Sequence, residues 1–332
     1  MKNISSKFYA KILLFGEYSV ICDSMGLTIP YAHFEGTFSF INQDSNKNYD
    51  EAIRSNRHLK KYADHLALLR LEGEYFSGMD LEQLFRDIDA GLYFRSNIPQ
   101  GYGIGSSGAL VAAIYERYGN SGLNPGQPIG PEKTNDLKKT FALMESYFHG
   151  TSSGLDPLLC FLQRPLLIRN KTDIQFVNIP PNQFSRQGAI FLLDSGKPGK
   201  TQPLVKHFMN QCKVTAFNDR IQSELIPLND QCITSLLKAD TEVFTDSLQK
   251  LSAFQLHNFS AMIPAHFRNI WEDGLNHGKF SMKLCGSGGG GFMLAFANHY
   301  ESAVADLQHR GLEFITVYKN SAGVKAPSFI FV

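Results

Sequence analysis

Two glycine-rich segments carry residues suited to holding a phosphate. Gly101, Gly103, Gly105 and Gly108 fall within eight positions, interleaved with Ile104, Ser106 and Ser107. Glycines there let the backbone take positive φ and turn successive N–H groups toward one point. The Ala-rich run 109–118 ends at Gly119, so a helix is expected to open near Ser106. Its first N–H groups and the positive end of its dipole would face the same point, and either serine hydroxyl can reach a magnesium ion. The second segment, 286–291, holds five glycines in six positions, Gly288 and Gly289 among them. Ordering so many glycines costs more backbone entropy than a hairpin requires. That points to a close approach of backbone to a ligand or to the first segment. A tight turn with a Ser N-cap and a flexible turn are the plain structural alternatives.

The charged candidates are two acids and a lysine. Asp156 follows a Ser/Gly turn (His149 to Pro157, HGTSSGLDP) and precedes the apolar Leu158, Leu159 and Cys160. Glu145 lies eleven residues upstream on a helical stripe. Magnesium needs only one or two carboxylates beside phosphate oxygens, so Glu145 with Ser107 is a sensible pair. Lys11 interrupts an apolar strand, where it either snorkels to an edge or holds Asp156 ionised toward a substrate hydroxyl. Glu17 follows Gly16 and is a candidate polar contact to substrate. Each also has a structural reading: Asp156 as a helix-starting acid before Pro157, Glu145 as a surface helix residue.

These residues need elements to position them. Residues 8–20 and 28–40 read as strands, 41–50 as a polar loop, and 51–78 as a helix with Leu59, Tyr62, Ala63, Leu66 and Leu69 about a turn apart. A strand at 92–98, the glycine segment and the 109–118 helix follow in that order. A loop at 119–132 leads to a helix at 135–148, and TSSGLD opens another. Strands are expected at 168–177 and 189–194, a mostly helical stretch at 201–277, and strand–turn–strand at 280–296. A helix at 302–310 and a strand at 311–318 complete the chain. Alternating strands and helices indicate α/β or α+β, with a domain boundary near residue 180.

Composition narrows the class. Of 332 residues 43% are apolar and 19% charged, and Lys+Arg (32) nearly balances Asp+Glu (31), so no basic bias suggests nucleic acid or an anionic membrane. The five cysteines are scattered and never form CxxC, which argues against a disulfide framework and favours a reducing cytoplasm. No histidine pair has HExxH spacing. The apolar stretch 12–15 is too short for a signal-peptide core, and no apolar run approaches the roughly 18 residues of a membrane span. The first glycine segment lacks the GKS or GKT of a Walker A loop. It also lacks the second strand and terminal acid of a dinucleotide site.

Three segments in order resemble the signature motifs of the GHMP kinases (galacto-, homoserine, mevalonate and phosphomevalonate kinases): KILLFGEYSV at 11–20, PQGYGIGSSGA at 99–109 and KLCGSGGGG at 283–291. The resemblance implies an α+β, two-domain GHMP kinase fold. Residues 1–180 would form an N-terminal ATP-binding half like ribosomal protein S5 domain 2, and 181–332 a ferredoxin-like C-terminal half. It further implies that the second motif wraps the phosphates of ATP, that Ser107 and Glu145 bind Mg2+, and that Asp156 is the catalytic base or orienting carboxylate. Lys11 would assist Asp156 or polarise the acceptor hydroxyl. Such an enzyme acts on a small-molecule alcohol without nucleic acid or membrane, and a homodimer stays open.

Within the superfamily, ILLFGEYSV, HGTSSGLDP and KLCGSGGGG are similar to the ILFGEH, HG-x-PSG-x-D and KLTGAGGGG segments of mevalonate kinase, so mevalonate is the leading acceptor. The 194–201 segment resembles the loop that carries a substrate-side threonine, here Thr201. Tyr9-Ala10 stand where Pro-Gly is usual. Tyr18, Lys197 and Lys200 resemble the phosphomevalonate kinase version instead, which keeps that enzyme and other small-alcohol or sugar kinases open. A catalytically lapsed binder, a nicotinamide-dependent oxidoreductase and a related decarboxylase are the remaining alternatives.

Overall fold

The computed structural model describes residues 6–41, 49–72, 78–120, 122–180 and 187–319. It divides into two compact units. The first comprises residues up to Lys11, Ala32–Pro99 and Gly105–Arg164; the second comprises Ile12–Tyr31, Gln100–Ile104 and the chain from Pro165. Strands β1 (Phe8–Phe15) and β2 (Gly26–Phe40) run through both.

In the first unit the far half of β2 pairs antiparallel with β3 (Leu92–Ser96), from Gly36 opposite Ser96 to Phe40 opposite Leu92. Five helices join them: α1 (Tyr49–Glu72), α2 (Leu81–Asp89), α3 (Ser106–Tyr118), α4 (Pro131–His149) and α5 (Leu155–Leu162). Helix α3 is small and apolar on nearly every side, with Ala109, Val111, Ala112, Ala113 and Ile114 all buried. Its packing against α4 and α5 therefore removes it almost wholly from water, the expected state for a helix without a polar face. Phe141, Met144 and Phe161 fill the space between these helices.

In the second unit the start of β2 pairs antiparallel with β4 (Leu166–Ile168), and β4 with β5 (Ile174–Phe176). A four-stranded antiparallel sheet has the order β7 (Ser281–Leu284), β8 (Phe292–Ala297), β6 (Ala189–Asp194), β9 (Phe314–Lys319). Helices α6 (Thr201–Gln211), α7 (Thr215–Arg220), α8 (Ile226–Leu237), α9 (Thr241–Asn258) and α10 (Ala265–Asn276) lie between β6 and β7 in sequence, and α11 (Tyr300–His309) between β8 and β9. Counting each helical stretch once, this is the β-α-β-β-α-β order of a ferredoxin-like unit. Its core holds Trp271, Phe191, Phe208, Phe259 and Phe267.

Several expected elements differ. The first strand stops at Phe15 rather than 20, because Gly16 (φ 119°) and Tyr18 (φ 64°) turn the chain into a 3-10 turn at Ser19–Cys22. The strand expected over 168–177 is two short strands joined by a turn. Helix α4 begins four residues early, at Pro131, whose fixed φ suits the first helical position. Helix α2, capped by Asp80 accepting from the Gln83 N–H at 2.9 Å, lies in a stretch with no expected element. Most of the polar loop expected at 41–50 and the end of the 51–78 helix lie outside the described residues. Among the described residues no helix is long and apolar enough to cross a membrane.

Candidate active site

In the first unit four side chains converge on the starts of α3 and α5. Lys11, on β1, reaches Asp156 with Nζ 3.0 Å from Oδ1. The lysine side chain is 5% exposed and the aspartate 41%, so the carboxylate is the member of the pair open to solvent. Asp156 lies in the first turn of α5, where the helix dipole favours negative charge. Gly108 brings α3 to this point. A Cβ there would lie 2.8 Å from the Asp156 carbonyl carbon and 2.9 Å from the Pro157 nitrogen, so only glycine lets the two helix starts touch.

Ser107 and Glu145 meet across α3 and α4. The Ser107 hydroxyl donates to Glu145 Oε1 at 3.1 Å, and the Ser152 hydroxyl donates to Oε2 at 2.5 Å. Glu145 is buried. Burial pushes its carboxyl up to about 7, Asp156 pushes the same way, and Ser152, Ser107 and Lys11 pull it back. A buried carboxylate with adjoining hydroxyl oxygens is a hard-oxygen donor set suited to Mg2+, and a cation there would favour its charged form. Among the described residues no group of three or more His, Cys, Asp or Glu could hold a metal.

The N-cap of α3 is Gly105 (φ 83°), and the first amide to close onto it is Ala109 N, 2.9 Å from the Gly105 carbonyl. The amides of Ser106, Ser107 and Gly108 precede that bond and lie outside the helix's own hydrogen-bond ladder, at the positive end of its dipole.

The glycine segment itself is divided between the units: 101–104 belongs to the second, where it packs on 286–291. Gly103 (φ 78°) lies against the Cys285 carbonyl oxygen, which a Cβ would approach to 2.5 Å. Tyr102 stacks edgewise on Phe292 at 4.9 Å, and the Gly199 N–H donates to the Gly101 carbonyl at 2.8 Å. Ile104 is fully buried. Gly288 and Gly289 both have φ near 70°, and the Gly289 N–H donates to the Met262 carbonyl at 2.6 Å. Thr201 starts α6 and accepts from the Ser287 hydroxyl at 3.1 Å. The Tyr18 hydroxyl donates to the Ser287 carbonyl at 2.6 Å. Glu17 is buried and ion-paired with Lys283 at 2.5 Å.

The structure thus brings Lys11 to Asp156 and Ser107 to Glu145, and in the second unit packs Gly101 and Gly103 against the second glycine segment. Among the contacts with no counterpart in the sequence reading are Ser152 on Glu145, Lys283 on Glu17 and Tyr18 on Ser287. An internal Ser/Gly turn between two carboxylates is the one signal that could have drawn attention to Ser152.

Residues 61–164 match the family described as GHMP kinases N terminal domain. No curated protein sequence matches the chain. Among solved structures it is similar to L. major mevalonate kinase in complex with R-mevalonate, at 18% identity, TM-score 0.59, and coverage of 95% of this chain and 96% of that one. Streptococcus pneumoniae phosphomevalonate kinase in complex with phosphomevalonate and AMPPNP gives 13% identity, TM-score 0.59, and 94% and 99% coverage. Lactococcus lactis galactokinase complexed with galactose gives 12%, 0.57, and 98% and 96%. The chain as a whole has the GHMP kinase fold, and its residues 61–164 match the N-terminal domain of that family.

Proposed function

We propose that this chain is a small-molecule kinase that transfers the γ-phosphoryl group of ATP to the hydroxyl of a small alcohol, mevalonate, giving 5-phosphomevalonate. The observation that supports it most is the Lys11–Asp156 pair at 3.0 Å, set where the starts of α3 and α5 touch. Asp156 orients the acceptor hydroxyl and takes its proton as the oxygen–phosphorus bond forms and the bond from Pγ to the bridging oxygen of ADP breaks. Lys11 fixes the carboxylate in place. The amides of Ser106, Ser107 and Gly108 receive phosphate oxygens. Ser107 and Glu145 would hold Mg2+, which would supply charge neutralisation at the phosphates. In the first unit Gly105 is assigned to the nucleotide; in the second, Gly101, Gly103, Ile104, Gly288 and Gly289 are assigned to the nucleotide and Thr201 with the Glu17 segment to the acceptor. In this reading residues 1–180 are the ATP-binding half. Positioning and charge neutralisation supply most of the rate in phosphoryl transfer, and that is the chemistry these residues offer.

A second acceptor, phosphomevalonate, is favoured by one feature. Lys197 and Lys200 are exposed on a loop tied by backbone to both glycine segments, through Gly291 N–H to the Lys197 carbonyl (2.7 Å) and Gly199 N–H to the Gly101 carbonyl. Two exposed ammonium groups there suit an acceptor that already carries phosphate.

The test is ADP release with Mg-ATP against mevalonate, phosphomevalonate, galactose and homoserine. Preference for mevalonate supports the first acceptor, and preference for phosphomevalonate the second. ATP binding without turnover on any of the four would overturn both.

A further inference from the structure

Ser152 occupies a junction that the mechanism above does not use. Its hydroxyl has one hydrogen, given to Glu145 Oε2 at 2.5 Å, and its oxygen accepts the Gly154 N–H at 3.0 Å. Gly154 is the N-cap of α5, and the next residue but one is Asp156. One side chain therefore bonds both the carboxylate of Glu145 and the turn that launches the helix bearing Asp156.

The two oxygens of Glu145 are not equivalent. Oε1 is shared with Ser107 and Oε2 with Ser152. A cation held by Ser107 and Glu145 together would take Oε1, leaving Ser152 to fix the rotation of the carboxylate from the other side. A carboxylate that is buried gains little orientation from water, so such a partner sets where its ligating oxygen points. Partners of this kind commonly contribute ten- to hundredfold to metal affinity.

We infer that Ser152 is a positioning residue that orients Glu145 for the divalent cation and links that orientation to the turn carrying Asp156. The inference rests on the proposed role of Glu145 as a metal ligand. It requires no contact between Ser152 and nucleotide, and it separates Ser152 from its neighbour Ser153, whose hydroxyl accepts the Leu155 N–H at 3.3 Å.

The test is Mn2+ affinity, read by electron paramagnetic resonance on the full chain holding the non-hydrolysable analogue AMPPNP. The variants are Ser152→Ala, Ser152→Thr, Glu145→Gln and the double variant Ser152→Ala/Glu145→Gln, with melting temperature recorded for each. Ser152→Ala is expected to weaken Mn2+ about tenfold, Ser152→Thr to restore it, and the Ser152→Ala effect to vanish in the Glu145→Gln background. Ser152→Cys, a weaker donor of similar size, takes the place of the alanine variant if that one does not fold. If Ser152→Ala lowers the melting temperature but binds Mn2+ like the unaltered protein, while Glu145→Gln binds it weakly, Ser152 is structural only. The inference then fails and the metal reading stands. If Glu145→Gln also binds Mn2+ unchanged, the metal reading itself fails and takes the inference with it.

Discussion

Lys283 and Glu17 stand 266 positions apart in sequence, yet Nζ and Oε1 meet at 2.5 Å inside the second unit with side chains 0% and 1% exposed. The ammonium also donates to the Leu284 carbonyl at 2.7 Å and lies 5.7 Å from the centre of the Phe15 ring. Removing one member strands a buried charge, whereas removing both leaves an apolar site. Lys283→Met alone is therefore expected to cost about 3–5 kcal/mol, and the double variant Glu17→Leu/Lys283→Met much less than the sum of the singles. Denaturant unfolding of the four proteins measures this. Additive losses would mean the two charges are not coupled.

Asp156 and Lys11 should separate in their kinetics. Asp156→Ala removes the group assigned to the acceptor hydroxyl and is expected to lower kcat by about 10²–10⁴ while nucleotide binding holds. Lys11→Met leaves the carboxylate present but unfixed, so a smaller loss in kcat is expected. Turnover in Asp156→Ala close to that of the unaltered protein would remove Asp156 from the chemistry.

Local pattern in the sequence carries much of this site. The order strand, glycines, Ala-rich helix places the α3 amides, and the resemblance over 149–157 marks Asp156. Ser152 escapes both signals. It stands where the similar segment has proline, and its hydroxyl matters only once α4 and α5 fold back to bring Glu145 within 2.5 Å. Likewise Lys283 belongs to a recognisable segment, but its partner lies at the far end of the chain, and no local spacing connects them. The end of β1 is illegible for a different reason: the positive φ of Tyr18 is imposed by its surroundings, since tyrosine has no intrinsic preference for that region. Its ring lies against Phe208 and Phe259, and its hydroxyl bonds the Ser287 carbonyl.

Gly108→Ala is the smallest change that should disturb the junction of α3 and α5. The new methyl would press on the Asp156 carbonyl carbon and the Pro157 nitrogen at 2.8–2.9 Å, and backbone atoms yield less readily than a side-chain tip. A destabilisation of about 1–3 kcal/mol is expected. The fall in kcat should exceed anything explained by unfolded protein, because the displaced turn carries Asp156. Stability and kcat measured on the same preparation decide it; a variant with ordinary kcat would show that the junction tolerates movement.

Glu145 makes the metal-free protein pH-dependent in a direction opposite to an ordinary ion-paired acid. Its carboxyl is pushed from an ordinary 4.5 up to about 7, chiefly by burial. Between those values the folded chain keeps a proton that the unfolded chain has released. With more protons bound in the native state, the slope of unfolding free energy against pH is negative. The contribution of this group is therefore fully present below about 4.5 and is lost as pH rises through 7, by at most about 3 kcal/mol. Unfolding in chelator at pH 5 and pH 8 measures the difference. Glu145→Gln, which cannot ionise, should abolish this part of it, and Mg2+ with nucleotide should restore stability selectively at pH 8. An unchanged difference in Glu145→Gln would mean that the carboxyl is already ionised at pH 5 in the folded chain.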